Sequence, residues 1–235
     1  MGKNVYQEED DWPPTRARMS RFHLHSGGNA NSLRGDGTLS ALAPQSEKAD
    51  HLLYDPADPV PTIGGILCCD SAHLMSGPHD QRPVESRGDV LVYSTPAFRE
   101  DCEVTGPVSA ELYASSSAVD TDFTAKLVDV WPSGVAQNLA EGILRARFRN
   151  SQEKAEFMNP GEIYKLNIDL WATSNVFLRG HRVRLEISSS NFPRFDRNLN
   201  SGEDPAHATR WVKATNTIYH DREHPSALVL PVVSQ

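Results

Sequence analysis

The sequence lacks the features that mark several classes of protein. It has no CxxC pair, and its three cysteines, Cys68, Cys69 and Cys102, provide neither a metal-binding spacing nor an even disulfide framework. No apolar run is long enough to cross a membrane, and the N-terminus lacks the plan of a secretory signal. The net charge of −8, without a basic stripe, argues against nucleic-acid binding. We therefore expect no nucleic-acid or membrane partner and a cytoplasmic location, in a chain that begins in the middle of a longer protein.

Helical periodicity is almost absent, whereas period-two alternation of apolar and polar residues recurs along the chain. It marks strands over residues 108–115, 144–148, 164–170 and 182–187, each with one apolar and one polar face. Turn signals punctuate the chain at residues 105–107, 132–134, 159–161 and 179–180. The pattern predicts an all-β fold, an antiparallel β-sandwich or jelly roll. The residues expected in its core include Leu166, Ile168, Val183, Leu185 and Ile187.

Two long segments fit this pattern of strands poorly. Residues 54–89 contain several prolines, which exclude a central strand, and the pair Gly64-Gly65, which permits a tight backbone path. Residues 188–224 begin where a clean strand ends in the string SSSNFPRFDRN. Long loops inside a compact domain are usually functional or packed against a partner.

The candidates for catalysis and metal binding are weak in the sequence. No G-x-S-x-G elbow occurs, and neither Ser26 nor the serines at 188–190 have the turn and helix that a nucleophile needs. Asp120 and Asp122 could be paired carboxylates or calcium ligands, but a turn role is favoured over both. His23 and His25 could form half of a metal site, and an ordinary surface pair is favoured. We therefore expect no catalytic residue, no metal ion and no cofactor.

Aromatic and charged residues point instead to packing and to an interface. The four tryptophans, at positions 12, 131, 171 and 211, could stack on a carbohydrate, but their separation favours core or interface packing. The loop after residue 190 mixes arginine, aspartate and phenylalanine, a composition typical of an interface. Its charges can pair among themselves or across a domain junction. The residues expected to dock there are Asn191, Phe192, Arg194, Phe195, Asp196, Arg197 and Asn198.

Several long strings resemble one family of serine hydrolases. They include YDPADPVPTIGG, GPHDQRPVESRGDVLVYST, VTGPVSAELYASSSAVDTDFTAKLVDVWPSG and PGEIYKLNIDLWATSNVFLRGHRVRLEISSSNFPRFDRN. The family is the cocaine esterase, X-Pro dipeptidyl-peptidase and glutaryl (cephalosporin) acylase group. The resemblance is to its C-terminal domain and extends from about Trp12 to Pro231.

The resemblance implies an accessory role for this chain. In that family the domain is a jelly roll of the galactose-binding type, which follows an α/β-hydrolase domain with a helical cap and the Ser-Asp-His triad. We expect a lead-in over residues 1–19 and the sandwich over 20–235, packed on the catalytic and cap domains of the same polypeptide. By the same resemblance, His73, Leu74 and Met75 belong to a loop that shapes the acyl side of the substrate pocket. A stand-alone carbohydrate-binding module is the alternative.

Overall fold

The computed structural model describes residues 1–67 and 74–233, and most of these residues lie in or between β-strands. A single turn of α-helix, α1 (Arg82–Glu85), and a 3₁₀ turn (Ala146–Phe148) interrupt them. No helix within the described ranges is long and apolar enough to cross a membrane. In chain order the strands of these ranges are β1 (Ala17–His25), β2 (Thr38–Ser40), β3 (Asp50–Tyr54), β4 (Leu91–Ser94), β5 (Cys102–Ser116), β6 (Asp122–Val130), β7 (Ala136–Arg145), β8 (Tyr164–Phe177), β9 (Arg182–Ser188), β10 (Ala214–Tyr219) and β11 (Ala227–Val233).

The strands form the two layers of a β-sandwich. In one layer β5 pairs with β8 on one side and with β10 and β11 on the other. In the second layer β9 pairs with β4 and β6, and β6 pairs with β7. β1 and β2 connect the layers, and among the pairings of the strands named above only the short one of β2 with β4 is parallel. The predicted antiparallel β-sandwich is confirmed.

A single apolar cluster fills the space between the layers. The five predicted core residues, from Leu166 to Ile187, are all buried in it, so this prediction is confirmed. Leu112 from β5 and Leu127 from β6 join the same cluster. Gly142 of β7 lies so close to β8 that a Cβ there would overlap the carbonyl oxygen of Asp169.

The predicted strand over residues 144–148 is wrong beyond Arg145, where β7 ends. Residues 146–148 form the 3₁₀ turn because their polar groups have partners outside the sheet. The N–H of Ala146 donates to the carbonyl of Thr121, and the N–H and Nε of Arg147 donate to the carboxylate of Asp120. These bonds turn the Arg147 side chain inward, whereas alternation would have pointed it to solvent.

The turn predicted at residues 105–107 is also wrong, because β5 runs straight through it. The strand tolerates Pro107, which has no N–H, at an irregularity between Pro107 and Ser109. Gly106 has φ +139° and packs between Pro13 and Pro231, where an added Cβ would lie only 3.0 Å from each proline. Local turn signals therefore mark a bulge inside a long strand.

The two long segments contain more regular structure than the sequence indicates. Residues 54–89 include α1, and residues 188–224 include β10. In β6 polar and apolar residues alternate only from Asp122 to Leu127, where a register shift interrupts the pattern, and all nine of its residues are buried. β1 begins at Ala17, so the boundary expected between residues 19 and 20 falls inside a strand.

Candidate functional site

The two long segments contact each other through their backbones. Pro61 forms a parallel β-bridge with Phe192. The N–H of Thr62 donates to the carbonyl of Phe192 at 2.7 Å, and the N–H of Phe192 donates to the carbonyl of Val60 at 2.9 Å. The hydroxyl of Ser190 accepts from the N–H of Val60 at 2.8 Å. The docking loop, residues 191–198, is thereby bound to the segment that leads into the predicted pocket loop.

Three glycines close the base of the pocket loop, residues 66–76, and we call Gly64, Gly65 and Gly77 the loop neck. The N–H groups of Gly65 and Gly77 each donate to the other's carbonyl, at 2.8 and 2.9 Å. All three have positive φ, which glycine adopts without strain. A Cβ on Gly64 would lie only 2.5 Å from the carbonyl oxygen of Gly77. The glycines thus allow the two sides of the loop to approach closely.

The carboxylate of Glu141, on β7, joins the loop neck to the docking loop. The guanidinium of Arg194 pairs with Glu141 Oε1. The side-chain amide of Asn191 donates to Glu141 Oε2 at 2.8 Å. A Cβ on Gly65 would overlap Glu141 Oε1. The buried Glu141 therefore lies between the docking loop and the loop neck, and the absence of a side chain at Gly65 makes room for it.

A second buried network lies under the other end of the docking loop. Arg145 pairs with Asp122 at 2.9 Å, and Arg147 pairs with Asp120 at 2.8 Å. The side-chain amide of Asn198 donates to both carboxylates, at 2.7 and 2.8 Å. Burial raises the pKa of Asp122, while the hydrogen bond and charge of Arg145 oppose the rise. The two aspartates are buried ion-pair acceptors, so the turn role favoured from the sequence is wrong.

The charged residues of the docking loop pair with other segments and not with one another. Asp196 is 69% exposed at its side chain and contacts Arg145 at 3.2 Å. Arg194 pairs with Glu141, as described above, and Arg197 donates to the carbonyl of Pro56 at 2.8 Å. Of the two arrangements expected from the sequence, pairing within the loop is wrong. The loop is held mainly by Asn191, Arg194 and Asn198, whose partners are buried.

Exposed apolar side chains surround this buried base. Ile66 and Met75, on the two sides of the pocket loop, are both exposed, and so is Phe192 of the docking loop. Leu74 is half-buried. His73, the third residue predicted for the substrate pocket, lies outside the described residues. The two loops thus expose apolar side chains to solvent above a base of buried polar residues.

Ser26 takes part in a buried Ser-His-Asp cluster whose geometry differs from that of a catalytic triad. Ser26 Oγ donates to Asp50 Oδ2 at 2.6 Å and lies 3.2 Å from His220 Nε2. The same His220 nitrogen lies 2.8 Å from Asp50 Oδ2, while its Nδ1 faces Glu47 at 3.3 Å. In a triad, serine and aspartate occupy opposite ring nitrogens. Here both contact Nε2, and the serine hydroxyl donates to Asp50 and not to the histidine.

Charge explains why this cluster is stable in the interior. Burial lowers the pKa of His220, but the hydrogen bond and charge of Asp50, with the charge of Glu47, outweigh burial and raise it. Burial raises the pKa of Asp50, but hydrogen bonds from His220, Ser26, Ala30 and Tyr93 lower it overall. The imidazolium is therefore favoured between two carboxylates. The cluster is a buried ion pair that joins β3, β10 and the segment after β1.

The serines at residues 188–190 are buried and bonded, as the sequence predicts for serines at a strand end. Ser188 Oγ contacts Thr124 Oγ1 at 2.6 Å and donates to the carbonyl of Ser190 at 3.0 Å. Ser189 Oγ accepts from the side-chain amide of Asn216 at 2.7 Å. Their hydroxyl groups stabilise the start of the docking loop.

The histidine pair and the cysteines form no metal-binding arrangement in the part of the chain that the structure describes. His25 Nδ1 pairs with Glu47 at 2.7 Å, and Nε2 donates to the carbonyl of Leu42 at 3.0 Å. No group of three or more His, Cys, Asp or Glu in residues 1–67 and 74–233 could hold a metal ion. Cys102 is a half-buried free thiol, whereas Cys68 and Cys69 lie outside the described residues.

The four tryptophans are 42–69% exposed, so core packing is wrong for all of them. An interface role remains a prediction. Trp12 and Trp131 line different grooves, which gives no support to a shared platform for a carbohydrate. The Trp131 ring contacts His181 at 5.6 Å between centroids.

Sequence reasoning missed the buried polar residues that carry both loops. These buried residues are Gln81, Lys126 and Glu141. Each lies in or beside a segment whose sequence predicts a strand or a turn. The signal was a lysine in the middle of the strand-forming stretch FTAKLVDV. Lysine is almost never fully buried unless it has a partner, so Lys126 indicated a polar network.

Comparison with known proteins gives this geometry a context. Residues 1–229 match the family model described as the X-Pro dipeptidyl-peptidase C-terminal non-catalytic domain. The chain is 48% identical over 237 residues to cocaine esterase of Rhodococcus sp. (strain MB1 Bresler). The alignment covers 100% of this chain and 41% of that protein. The chain therefore spans about two fifths of the length of this curated relative.

Solved structures share the fold over almost the whole chain. An aminopeptidase from the marine sediment archaeon Thaumarchaeota archaeon matches with a TM-score of 0.88 and 31% identity, over 99% of this chain and 39% of that one. An α-amino acid ester hydrolase matches with a TM-score of 0.87 and 28% identity, over 98% of this chain and 40% of that one. In each case the match leaves most of the larger protein uncovered.

Proposed function

The chain belongs to the family of X-Pro dipeptidyl-peptidase C-terminal non-catalytic domains, and from this premise we propose that it is the accessory domain of a serine hydrolase. In this proposal it packs on the catalytic and cap domains of the same polypeptide through the docking loop. The pocket loop extends to the active site and forms part of the wall that contacts the acyl group. The sandwich is a jelly roll of the galactose-binding type, and residues 1–19, the last three of which already belong to β1, lead into it.

One observation carries the proposal: the docking loop and the neck of the pocket loop share one buried polar base. Glu141 contacts the docking loop and the loop neck, and the bridge between Pro61 and Phe192 ties the docking loop to the segment that leads into the pocket loop. Ile66, Met75 and Phe192 project from this base as exposed apolar groups. Apolar groups presented on a rigid base suit both docking on another domain and lining a pocket.

We propose an ester as the substrate class. Cocaine esterase is 48% identical to the chain, and the α-amino acid ester hydrolase shares its fold at 28% identity. The matching archaeal protein is an aminopeptidase, so an amide bond is the competing class. Because the pocket loop would contact the acyl group, it would influence which acyl groups are accepted more than which bond is cleaved.

The test removes the pocket loop from a polypeptide that carries the catalytic and cap domains before this chain. Because Gly65 and Gly77 pair directly, two glycines in place of residues 66–76 would close a short hairpin. We expect kcat/KM for a benzoyl ester to fall about tenfold or more, while an acetyl ester changes much less. p-Nitrophenyl esters of the two acids provide the comparison.

A matched control changes an exposed apolar residue outside both loops, Leu42→Ser. It should leave both esters unchanged. Equal loss for the two esters, or no loss for either, would overturn the role of the pocket loop in acyl recognition. Dissociation of the two parts after limited proteolysis would measure docking separately.

A further inference from the structure

The side-chain amide of Gln81 ties both sides of the loop neck to the sandwich. Its Nε2 donates to the carbonyl of Ile63 at 2.8 Å and to the carbonyl of His79 at 3.1 Å. Ile63 precedes Gly64, and His79 follows Gly77 by two residues. Gln81 itself is fully buried, and its backbone N–H donates to the carbonyl of Ala136 at 2.7 Å. The side-chain amide of Gln81 therefore bonds both to the segment that enters the pocket loop and to the segment that leaves it.

Lys126, in the middle of β6, fixes the orientation of that amide. Its Nζ donates to Gln81 Oε1 at 3.0 Å. Because an ammonium has only donors, the oxygen of the amide must face Lys126 and the NH₂ group must face the neck. The ammonium thus selects the one orientation of Gln81 in which both neck carbonyls receive a hydrogen bond.

The position of Lys126 is costly for the sandwich unless it serves this purpose. Its side chain is only 3% exposed, and its nearest carboxylate, Glu186 Oε2, lies 3.9 Å away. Every other residue of β6 is also buried. Replacing a buried ion pair by apolar side chains of similar volume is often neutral or stabilising. Stability of the sandwich therefore does not account for a lysine at this position.

We propose that Lys126 and Gln81 are positioning residues that fix the pocket loop relative to the sandwich and thereby determine acyl-group selectivity. The link to selectivity rests on the proposed function, whereas the clamp on the loop neck does not. Arg194 and Glu141 hold the neck from the docking-loop side, at Gly65. The Lys126–Gln81 pair holds it from the opposite, sandwich side, at Ile63 and His79.

Gln81→Glu is the sharpest variant for the test. It keeps the size of the side chain and an acceptor for Lys126, but it replaces the NH₂ group with an oxygen that faces two carbonyl oxygens. We expect hydrogen exchange at the N–H groups of Gly65 and Gly77 to accelerate about tenfold, because the hydrogen bonds that hold the neck closed are lost. Exchange is measured on the chain itself by NMR, without any catalytic domain.

Amides elsewhere in the chain provide internal controls. The N–H of Gly134 donates to the carbonyl of Trp131 and that of Gly161 to the carbonyl of Ser116, both at 2.8 Å, and none of these residues belongs to either loop. Their exchange should not change. If Gln81→Glu does not fold, the double variant Lys126→Met with Gln81→Met removes the buried cation together with its partner and gives the same readout. Unchanged exchange at Gly65 and Gly77 in a folded variant overturns the clamp.

The second readout uses the polypeptide with its catalytic and cap domains. We expect the folded variant to keep kcat for an acetyl ester and to lose about tenfold of its preference between benzoyl and acetyl esters, mainly through KM. Faster exchange with unchanged preference would overturn the link to selectivity, and the pocket role with it, while the clamp would stand. A uniform loss of activity for both esters would likewise overturn the link to selectivity.

Discussion

The guanidinium of Arg145 holds both carboxylate oxygens of Asp122, through Nε at 2.9 Å and Nη2 at 3.0 Å. The same Nη2 extends to Asp196 of the docking loop at 3.2 Å. One carboxylate is buried and the other is exposed, although both pair with a single arginine. The burial of each partner, and not the presence of an ion pair, decides how much each contact contributes.

Asp122→Ala should destabilise the chain by about 3–5 kcal/mol, because it leaves Arg145 without its buried partner and Asn198 without one of its acceptors. Asp196→Ala should cost about 0–1 kcal/mol, since its side chain is largely in water. Urea denaturation of the two variants gives the comparison. Equal losses would show that the docking loop is held through Asp196 and would contradict the assignment of the buried network.

Leu185→Ala should cost about 2–5 kcal/mol, because Leu185 is 0% exposed in the centre of β9. Leu53→Ala is the matched control, since Leu53 also lies on a strand but is 56% exposed. Its loss should be well under half as large. A small loss for Leu185 in urea denaturation would mean that the apolar face of β9 is assigned wrongly.

Gly65→Ala should destabilise the chain by about 3 kcal/mol or more, because its Cβ would displace Glu141 from the ion pair with Arg194. Gly77→Ala separates this clash from backbone strain. Gly77 also has positive φ, but no atom of residues 1–67 and 74–233 lies within 4 Å of an added Cβ. Its cost should therefore be about 1–2 kcal/mol. Thermal or urea unfolding that ranks the two variants in the opposite order would contradict the contact.

The chain alone should hydrolyse neither p-nitrophenyl esters, X-Pro dipeptide anilides nor a glutaryl amide. The reason is the geometry at Ser26, whose hydroxyl donates to Asp50 and not to a free histidine nitrogen. Turnover above buffer that a serine-directed inhibitor abolishes, and that Ser26→Ala removes, would show that this cluster is catalytic.

The half-buried strands could be predicted from the sequence, because a strand with one buried face and one solvent-exposed face alternates apolar and polar residues. The sequence did not show β6, in which the alternation of polar and apolar residues stops at the register shift after Leu127 and the polar residues are buried as well. The sequence at the Pro107 bulge predicts a turn, because proline and glycine are common both in turns and at bulges inside strands. The site was predictable as two unusual segments. Its base was not, because Glu141, Lys126 and Gln81 acquire their partners only when distant strands meet.

Glu186 should give the stability of the chain a measurable dependence on pH. Burial raises the pKa of Glu186 from 4.5 to about 8, with the charge of Lys126 opposing the rise and Glu85 adding to it. Glu85, Lys126 and Arg184 are the charged groups that face this carboxyl group. Between these two pKa values the folded chain binds a proton that the unfolded chain has lost. The contribution of Glu186 to stability is thus fully present below pH 4.5 and is lost as pH rises through about 8.

Glu186→Gln removes this titration while keeping the size of the side chain and a donor toward Glu85. We therefore expect the free energy of unfolding of the parent chain to fall from pH 5 to pH 8.5 relative to that of the variant, with most of the fall below neutral pH and a levelling off above about pH 8. Burial lowers the pKa of Lys126, which gives the opposite slope at alkaline pH, but both proteins retain that lysine and the difference between them cancels most of it. Urea denaturation at intervals of half a pH unit measures the difference. Parallel curves for the two proteins across this range would mean that Glu186 is ionised in the folded chain. Lys126 would then form an ion pair with Glu186 in addition to its hydrogen bond with Gln81.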